Sequence, residues 1–226
     1  MLELAAASYP GVYRGLVIDN NDPEALGRVR LMVPQVSGEQ VTGWAWPIGG
    51  GIGQINYPYG TFVTLSNQAI SGTTTVSNWT LEDGNKTSVS GTKLYVEESG
   101  DYMLQFSVML TRSSASSTTA DVWVNKNGTA IPRSNSRVTI SGSDAETLMT
   151  VAFILDLDAG DYIELVAYSP ATNVSIVYHA ASTGPAIPGV IATLSLIGKY
   201  KPKPNTPVWV TFEGGDPNFP LWMGAS

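Results

Sequence analysis

The chain has 226 residues, against about 150 for an average domain, so it holds one domain or two. Charged residues make up 14%, where ordinary globular proteins carry about 25%, and Gly, Pro, Ser, Thr and Asn fill the difference. That composition excludes coiled coils, charged tails and charge-driven disorder, and suits an all-β chain with many turns. The lack of cysteine excludes disulfide frameworks, thiol nucleophiles, zinc fingers and iron–sulfur clusters. A net charge of −7 argues against nucleic acid and anionic membranes, which demand a concentrated positive surface. Glu3 stands where a signal peptide would carry Lys or Arg, and apolar runs such as Val151–Leu155 are too short to cross a bilayer. A soluble protein without membrane insertion is expected.

The first fifty residues read as three strands. Val12–Asp19 is mostly apolar and ends in the turn formers Asp19-Asn20-Asn21-Asp22-Pro23. Gly27–Pro34 alternates, with Val29, Leu31 and Val33 on one face and Arg28, Arg30 and Met32 on the other. Thr42–Pro47 gives a third strand carrying Trp44 and Trp46, and Gly49–Gly53 then breaks all periodicity.

From Gln54 to Gly198 the chain is rich in Ser, Thr and Asn and holds short strands at the spacing of a sandwich. The candidates are Thr61–Ser66, Lys93–Glu97, Tyr102–Leu110, Asp121–Asn125, Arg137–Ile140, Leu148–Leu157, Tyr162–Tyr168, Val174–His179 and Ile191–Ile197. Asn125-Lys126-Asn127-Gly128 and Asp158-Ala159-Gly160-Asp161 read as hairpin turns. Lys199–Pro207, with three prolines, reads as a stiff linker. A strand follows with Val208, Val210 and Phe212 on one face, then the turn Glu213–Asn218 and a closing strand from Pro220 to Gly224.

Charge divides the chain in the same way. Residues 1–54 and 199–226 hold seven acids and six bases, net −1, whereas 55–198 hold twelve and six, net −6. The organisation expected is a barrel begun by 1–54, interrupted by an inserted domain at 55–198, and completed by 199–226.

Few residues carry chemistry. His179 is the single histidine and sits in an apolar run, with no G-x-S-x-G elbow in the chain, so a structural role is expected. Asp156, Asp158 and Asp161 gather at one turn without calcium-loop spacing. Glu97 and Glu98 are adjacent on a strand and point to opposite faces, which is wrong for a carboxylate pair. Gly49–Gly53 lacks the G-K-[ST] of a phosphate loop. Trp44, Trp46, Trp209 and Trp222 could stack on bases, but a barrel of net −1 gives no basic groove, so core or subunit contacts are expected of them. No catalytic residue, metal or cofactor is expected. The polar stretch from Arg112 to Thr119 reads as a long loop, and Arg112, Ser113, Ser114, Ser116 and Ser117 are its candidate ligand-binding residues.

Tyr13-Arg14-Gly15-Leu16-Val17, Asp22-Pro23-Glu24-Ala25-Leu26-Gly27-Arg28-Val29-Arg30, Trp44-Ala45-Trp46-Pro47, Val208–Pro217 and Pro220–Gly224 together resemble the OB fold of phage central spikes and of the valine–glycine repeat spikes of type VI secretion. Gly100-Asp101-Tyr102, Trp123–Gly128 and Leu157–Leu165 resemble the jelly roll of tumour-necrosis-factor and complement globular-head type. The fold so implied is all-β: a five-stranded OB barrel interrupted by an inserted jelly-roll β-sandwich. The function implied is structural: a virion protein of a phage tail tip or baseplate, docked on the tail hub or other baseplate proteins. Spikes of this family usually continue into a β-helical needle. This chain stops after the last barrel strand, so an adaptor or platform role is expected over piercing. The insert then serves adhesion or spacing.

Apolar residues on both faces of Tyr162–Tyr168 and Ile191–Ile197 suggest a homotrimer, with Tyr162, Val166, Ile191 and Ile197 at the subunit interface. Two alternatives stand beside this reading: a receptor-binding protein whose insert recognises host cell-surface glycan, and a glycan-degrading enzyme.

Overall fold

The computed structural model describes residues 8–24, 26–48 and 58–225. The barrel segments hold β1 (Tyr13–Asp19), β2 (Val29–Met32) and β3 (Val41–Pro47), with a single helical turn, α1 (Pro34–Ser37), before β3. Then come β4 (Tyr59–Thr64), β5 (Gln68–Thr75), β6 (Trp79–Asn85), β7 (Thr87–Ser90), β8 (Lys93–Val96) and β9 (Ser99–Arg112). They are followed by β10 (Thr118–Lys126), β11 (Thr129–Ala130), β12 (Ser136–Ile140), β13 (Glu146–Leu157), β14 (Tyr162–Ile176) and β15 (Val190–Lys201). The chain closes with β16 (Pro207–Phe212) and β17 (Pro220–Ala225). It divides into two units, one of Met1–Asn56, Glu98–Asp101 and Ile197–Ser226, the other of Tyr57–Glu97 and Tyr102–Leu196. The glycine run Gly49–Gly53 and the junction at 54/55 lie outside the described residues.

In the first unit five strands close a barrel in the order β1-β16-β17-β3-β2. Neighbours are antiparallel except β17 and β3, which run parallel through Leu221 and Trp46. That is the closure of an OB barrel, whose third and fifth strands are its parallel pair. The expected alternation holds. Val29, Leu31, Val33, Val208 and Val210 are fully buried with Val17, Ala45 and Trp222, while Arg30 and Trp209 point outward.

In the second unit twelve strands form one continuous, folded-over sheet with the path β11-β10-β14-β9-β15-β4-β6, which packs as a jelly-roll sandwich. One layer runs β6-β4-β15-β9-β13, and the other gathers β12, β10, β5 and β8 around β14. The layers join where the end of β14 meets the end of β9, Val174 opposite Arg112 and Ile176 opposite Leu110. Leu104, Phe106, Val108 and Leu110 of β9, Val122 and Val124 of β10, Leu165 and Ala167 of β14, and Ala192 and Leu194 of β15 fill the space between. Asn127 (φ 51°) and Gly128 (φ 79°) make a primed turn joining β10 to β11, as their residue types require.

Four sequence expectations are corrected. Lys199–Pro207 is not a linker. β15 continues to Lys201, and Lys203–Thr206 forms a turn bonded back to β1 through Asn205 N–H to Val17 O (2.7 Å) and Val17 N–H to Thr206 O (3.0 Å). Asp158–Asp161 is a turn, closed by Asp161 N–H to Asp158 O at 2.8 Å, but not a hairpin, because β13 pairs β9 while β14 pairs β10 and β5. Val174–Ile176 is the end of β14 and not a separate strand. The loop between β9 and β10 is only Ser113–Ser117, since Arg112 still belongs to β9 and Thr118 already to β10.

Candidate functional site

The DP…GRVR segment is built around one carboxylate. Asp22 Oδ2 accepts the backbone N–H of Leu26 (2.8 Å) and Arg28 (3.1 Å), and Oδ1 accepts that of Glu24 (3.1 Å). The Arg28 guanidinium donates to Asp22 at 2.7 Å through Nη2 and at 3.2 Å through Nε, and also reaches Glu24 at 3.2 Å. The Asp22 side chain is 0% exposed. Arg28 beside it holds its carboxyl well below the usual carboxylate range, with the backbone donors adding to the effect against burial. Arg28 is in turn held protonated above its ordinary value, first by Asp22. Its guanidinium lies 5.2 Å from the Trp46 ring and 5.8 Å from that of Trp44. Arg14 likewise stacks on Trp209 at 5.2 Å.

The Glu213-Gly214-Gly215-Asp216-Pro217 turn is set by its glycines. Gly214 and Gly215 have φ of 60° and 77°, a region that L side chains avoid. A Cβ on Gly215 would collide with Ser8 Oγ and sit 3.2 Å from Tyr9 N, whose N–H donates to Gly215 O at 2.8 Å. Tyr9, Tyr13 and Phe212 form a ring cluster with centroids 5.7–6.3 Å apart. Ser8, Tyr9 and Gly214–Asn218 line a cleft of about 390 Å³. On the barrel strands and turns, Trp46, Ile48, Trp209 and Phe219 leave large apolar side chains exposed.

In the second unit the ligand-loop candidates meet around a buried charge. Arg112 is 6% exposed, and its Nη2 donates to Ser116 Oγ at 2.9 Å. Ser114 Oγ lies 3.3 Å from Ser116 Oγ, and Ser117 Oγ lies 2.9 Å from Ser141 Oγ. Ser113 donates its N–H to Asn173 O at 3.1 Å, its side chain facing outward.

The four interface candidates separate. Tyr162 is half-buried, with Tyr95 at 5.3 Å and the Lys93 ammonium 4.3 Å from its ring. Val166 is 2% exposed, with Trp123 and Thr75 as cross-strand neighbours, so its own chain covers it and it has no face to offer a second chain. Both lie on β14, in the other layer from β15. Ile191 is 40% exposed and alternates outward with Thr193 and Ser195, while Ile197, also in β15, is 47% exposed. Tyr59, Met103, Leu148 and Ile154, on β4, β9 and β13 of the same layer, are also exposed, the last at 65%. The sequence reading missed these four, although period-two alternation in β9 and β13 could have placed Met103, Leu148 and Ile154 on the side opposite the core.

The remaining candidates have internal work. His179 pairs with Ile187 in an isolated bridge, with its Nε2 2.8 Å from Glu146 Oε1. Asp161 accepts the Asp158 N–H (2.7 Å) and Asn127 Nδ2 (2.7 Å) and pairs with Lys126 Nζ (2.8 Å). Burial pushes that carboxyl up, but these donors outweigh it and leave the group below its ordinary range.

Residues 13–56 match the model of the type VI secretion system/phage-baseplate injector OB domain, which covers the first three barrel strands. No curated protein matches the chain. Among solved structures, murine APRIL at pH 8.5 and at pH 5.0 both align at 17% identity and TM-score 0.41, over 62% of this chain and 100% of theirs. The matched domain is a structural part of phage baseplates and type VI secretion spikes and not an enzyme family.

Proposed function

We propose that the protein is a structural component of a phage tail tip or baseplate, in which the barrel acts as the collar on the hub and the sandwich projects for adhesion or spacing. The injector-domain match on 13–56, continued by a barrel that β16 and β17 close, carries this reading. The exposed apolar side chains on the barrel support docking to hub or baseplate proteins. Nucleic acid fits poorly, since Arg28 is neutralised by Asp22 and Glu24. The apolar outer face of Tyr59, Met103, Leu148, Ile154 and Ile191 supports a homotrimer, because single exposed apolar residues are ordinary but five on one layer are not. Two measurements test this. Light scattering of the purified chain is expected to give three times the mass of one chain, and imaging of assembled particles is expected to find the chain on the tail axis. A monomer, or a location away from the tail, refutes the reading.

A second reading, recognition of host glycan by the sandwich, is supported by Arg112, a buried cation at the base of a hydroxyl-rich loop.

A further inference from the structure

Arg112 ends β9 with its side chain folded under the Ser113–Ser117 loop. Of its nitrogens, Nη2 has the Ser116 hydroxyl, while Nε and Nη1 are shielded from solvent and have no hydrogen-bond partner. No carboxylate among the described residues pairs with it. A guanidinium is ionised at any physiological pH, so burial cannot be relieved by losing the proton. A buried charge with one neutral partner is among the costliest arrangements a fold can hold. The other buried arginine of the chain shows the ordinary solution, with two carboxylates and two indole rings around Arg28.

We infer that Arg112 is the anchor of a binding site for the carboxylate of an acidic sugar. The side-chain fork offers parallel N–H donors at the spacing of two carboxylate oxygens, a geometry that lysine cannot reproduce. The rim fits the rest of such a ligand. Ser114, Ser116, Ser117 and Ser141 present hydroxyls that donate or accept, and Ser114 and Ser116 are within 3.3 Å of each other beside the guanidinium. Ser116 is exposed and holds Nη2 of Arg112 through a single bond, so an incoming carboxylate displaces that hydroxyl and binds Nη2 together with one of the two orphan donors beside it as the loop shifts. The inference deepens the glycan reading above and rests on it only for the source of the carboxylate.

The test is a calorimetric titration of the full chain with sodium D-glucuronate, with D-glucose and inorganic phosphate as parallel arms. Glucuronate is expected to saturate one site per chain and glucose to give no heat. R112K, which keeps the charge but not the fork, is expected to weaken glucuronate at least tenfold, and S114A, which removes a rim hydroxyl, by two- to fivefold. Circular dichroism checks that both variants are folded, and R112K is the informative one if R112A is not. Glucuronate binding no tighter than glucose, or unchanged in R112K, overturns the site. Phosphate binding as tightly as glucuronate overturns the assignment to a sugar acid. If R112K loses glucuronate while particle adhesion to cells is unchanged, the site stands and the host-glycan reading falls.

Discussion

Replacing Asp22 tests what holds the barrel's first turn together. In D22N the charge is lost but one carbonyl oxygen remains to accept from the backbone, whereas the Arg28 guanidinium stays at 10% exposure facing a neutral amide. Removing one partner of a buried ion pair costs about 3 kcal/mol, because the other charge is left uncompensated. In a chain of this size that lowers the barrel's melting temperature by roughly 10 °C. D22A also removes the acceptor for the N–H groups of Glu24, Leu26 and Arg28, and is expected to cost about 1 kcal/mol more than D22N.

The same carboxylate sets a pH dependence. Its folded-state pKa lies below the ordinary 3.8, so its stabilisation is complete above about pH 4 and drains away as pH falls through the folded value. Asp121 and Asp161 are lowered too, so the signature is the difference between wild type and D22N rather than the wild-type slope alone. The gap in melting temperature is expected to be widest near neutral pH and to narrow steadily below pH 4. A D22N protein melting within about 2 °C of wild type at pH 7, or a gap that does not narrow in acid, refutes the assignment of the turn to this pair.

Three further perturbations follow from the same geometry. G215A combines a φ of 77° with a collision against Ser8 and is expected to cost about 2–3 kcal/mol in thermal melts, more than G214A, whose Cβ meets nothing within 4 Å. Equal costs would mean that close approach to the N-terminal segment is irrelevant. I154D and I191D, both at exposed positions, are expected to leave circular dichroism unchanged while turning the proposed trimer into monomer by light scattering; an unchanged mass removes that face from the interface. D121N breaks a pair with an Arg137 side chain that is 65% exposed, and is expected to cost under about 1 kcal/mol, with a larger loss pointing to a role beyond this contact.

Local grammar made the barrel legible. Val29, Leu31 and Val33, then Val208, Val210 and Phe212, alternate cleanly because each strand has one wet face, and the turn formers between them are unambiguous. In the sandwich, β5, β6 and β7 were not legible. Gln68–Thr75 holds one large apolar residue, Ile70, and its place is fixed by the ladder to β14 from Thr73–Thr75 and Gln68–Ile70, not by its own pattern. The prolines near Lys203 likewise read as a linker because nothing local announces the bonds from Asn205 and Thr206 to Val17, nearly two hundred residues earlier. The burial of Val166, expected at a subunit interface, was hidden for the same reason. Period two shows which face a side chain takes, but not that Trp123 and Tyr95 come from elsewhere in the chain to flank it.

The two buried arginines show where sequence ends and structure begins to bear on function. Both follow an apolar or turn segment and neither is marked by its neighbours in the chain. Arg28 is answered six residues back by Asp22 and four back by Glu24, so its charge is spent inside the fold. Arg112 has Asp144 close in the backbone, whose N–H donates to Arg112 O at 2.7 Å, yet the Asp144 carboxylate is not within ion-pairing distance and instead accepts from Ser143 at 3.4 Å. A counter-charge only a loop away is thus left unused. A site selected for stability alone would have taken it, since pairing a buried guanidinium is among the largest single gains open to this fold. The proposed site uses the donors that Asp144 leaves open, and the R112K titration is the measurement that tests it.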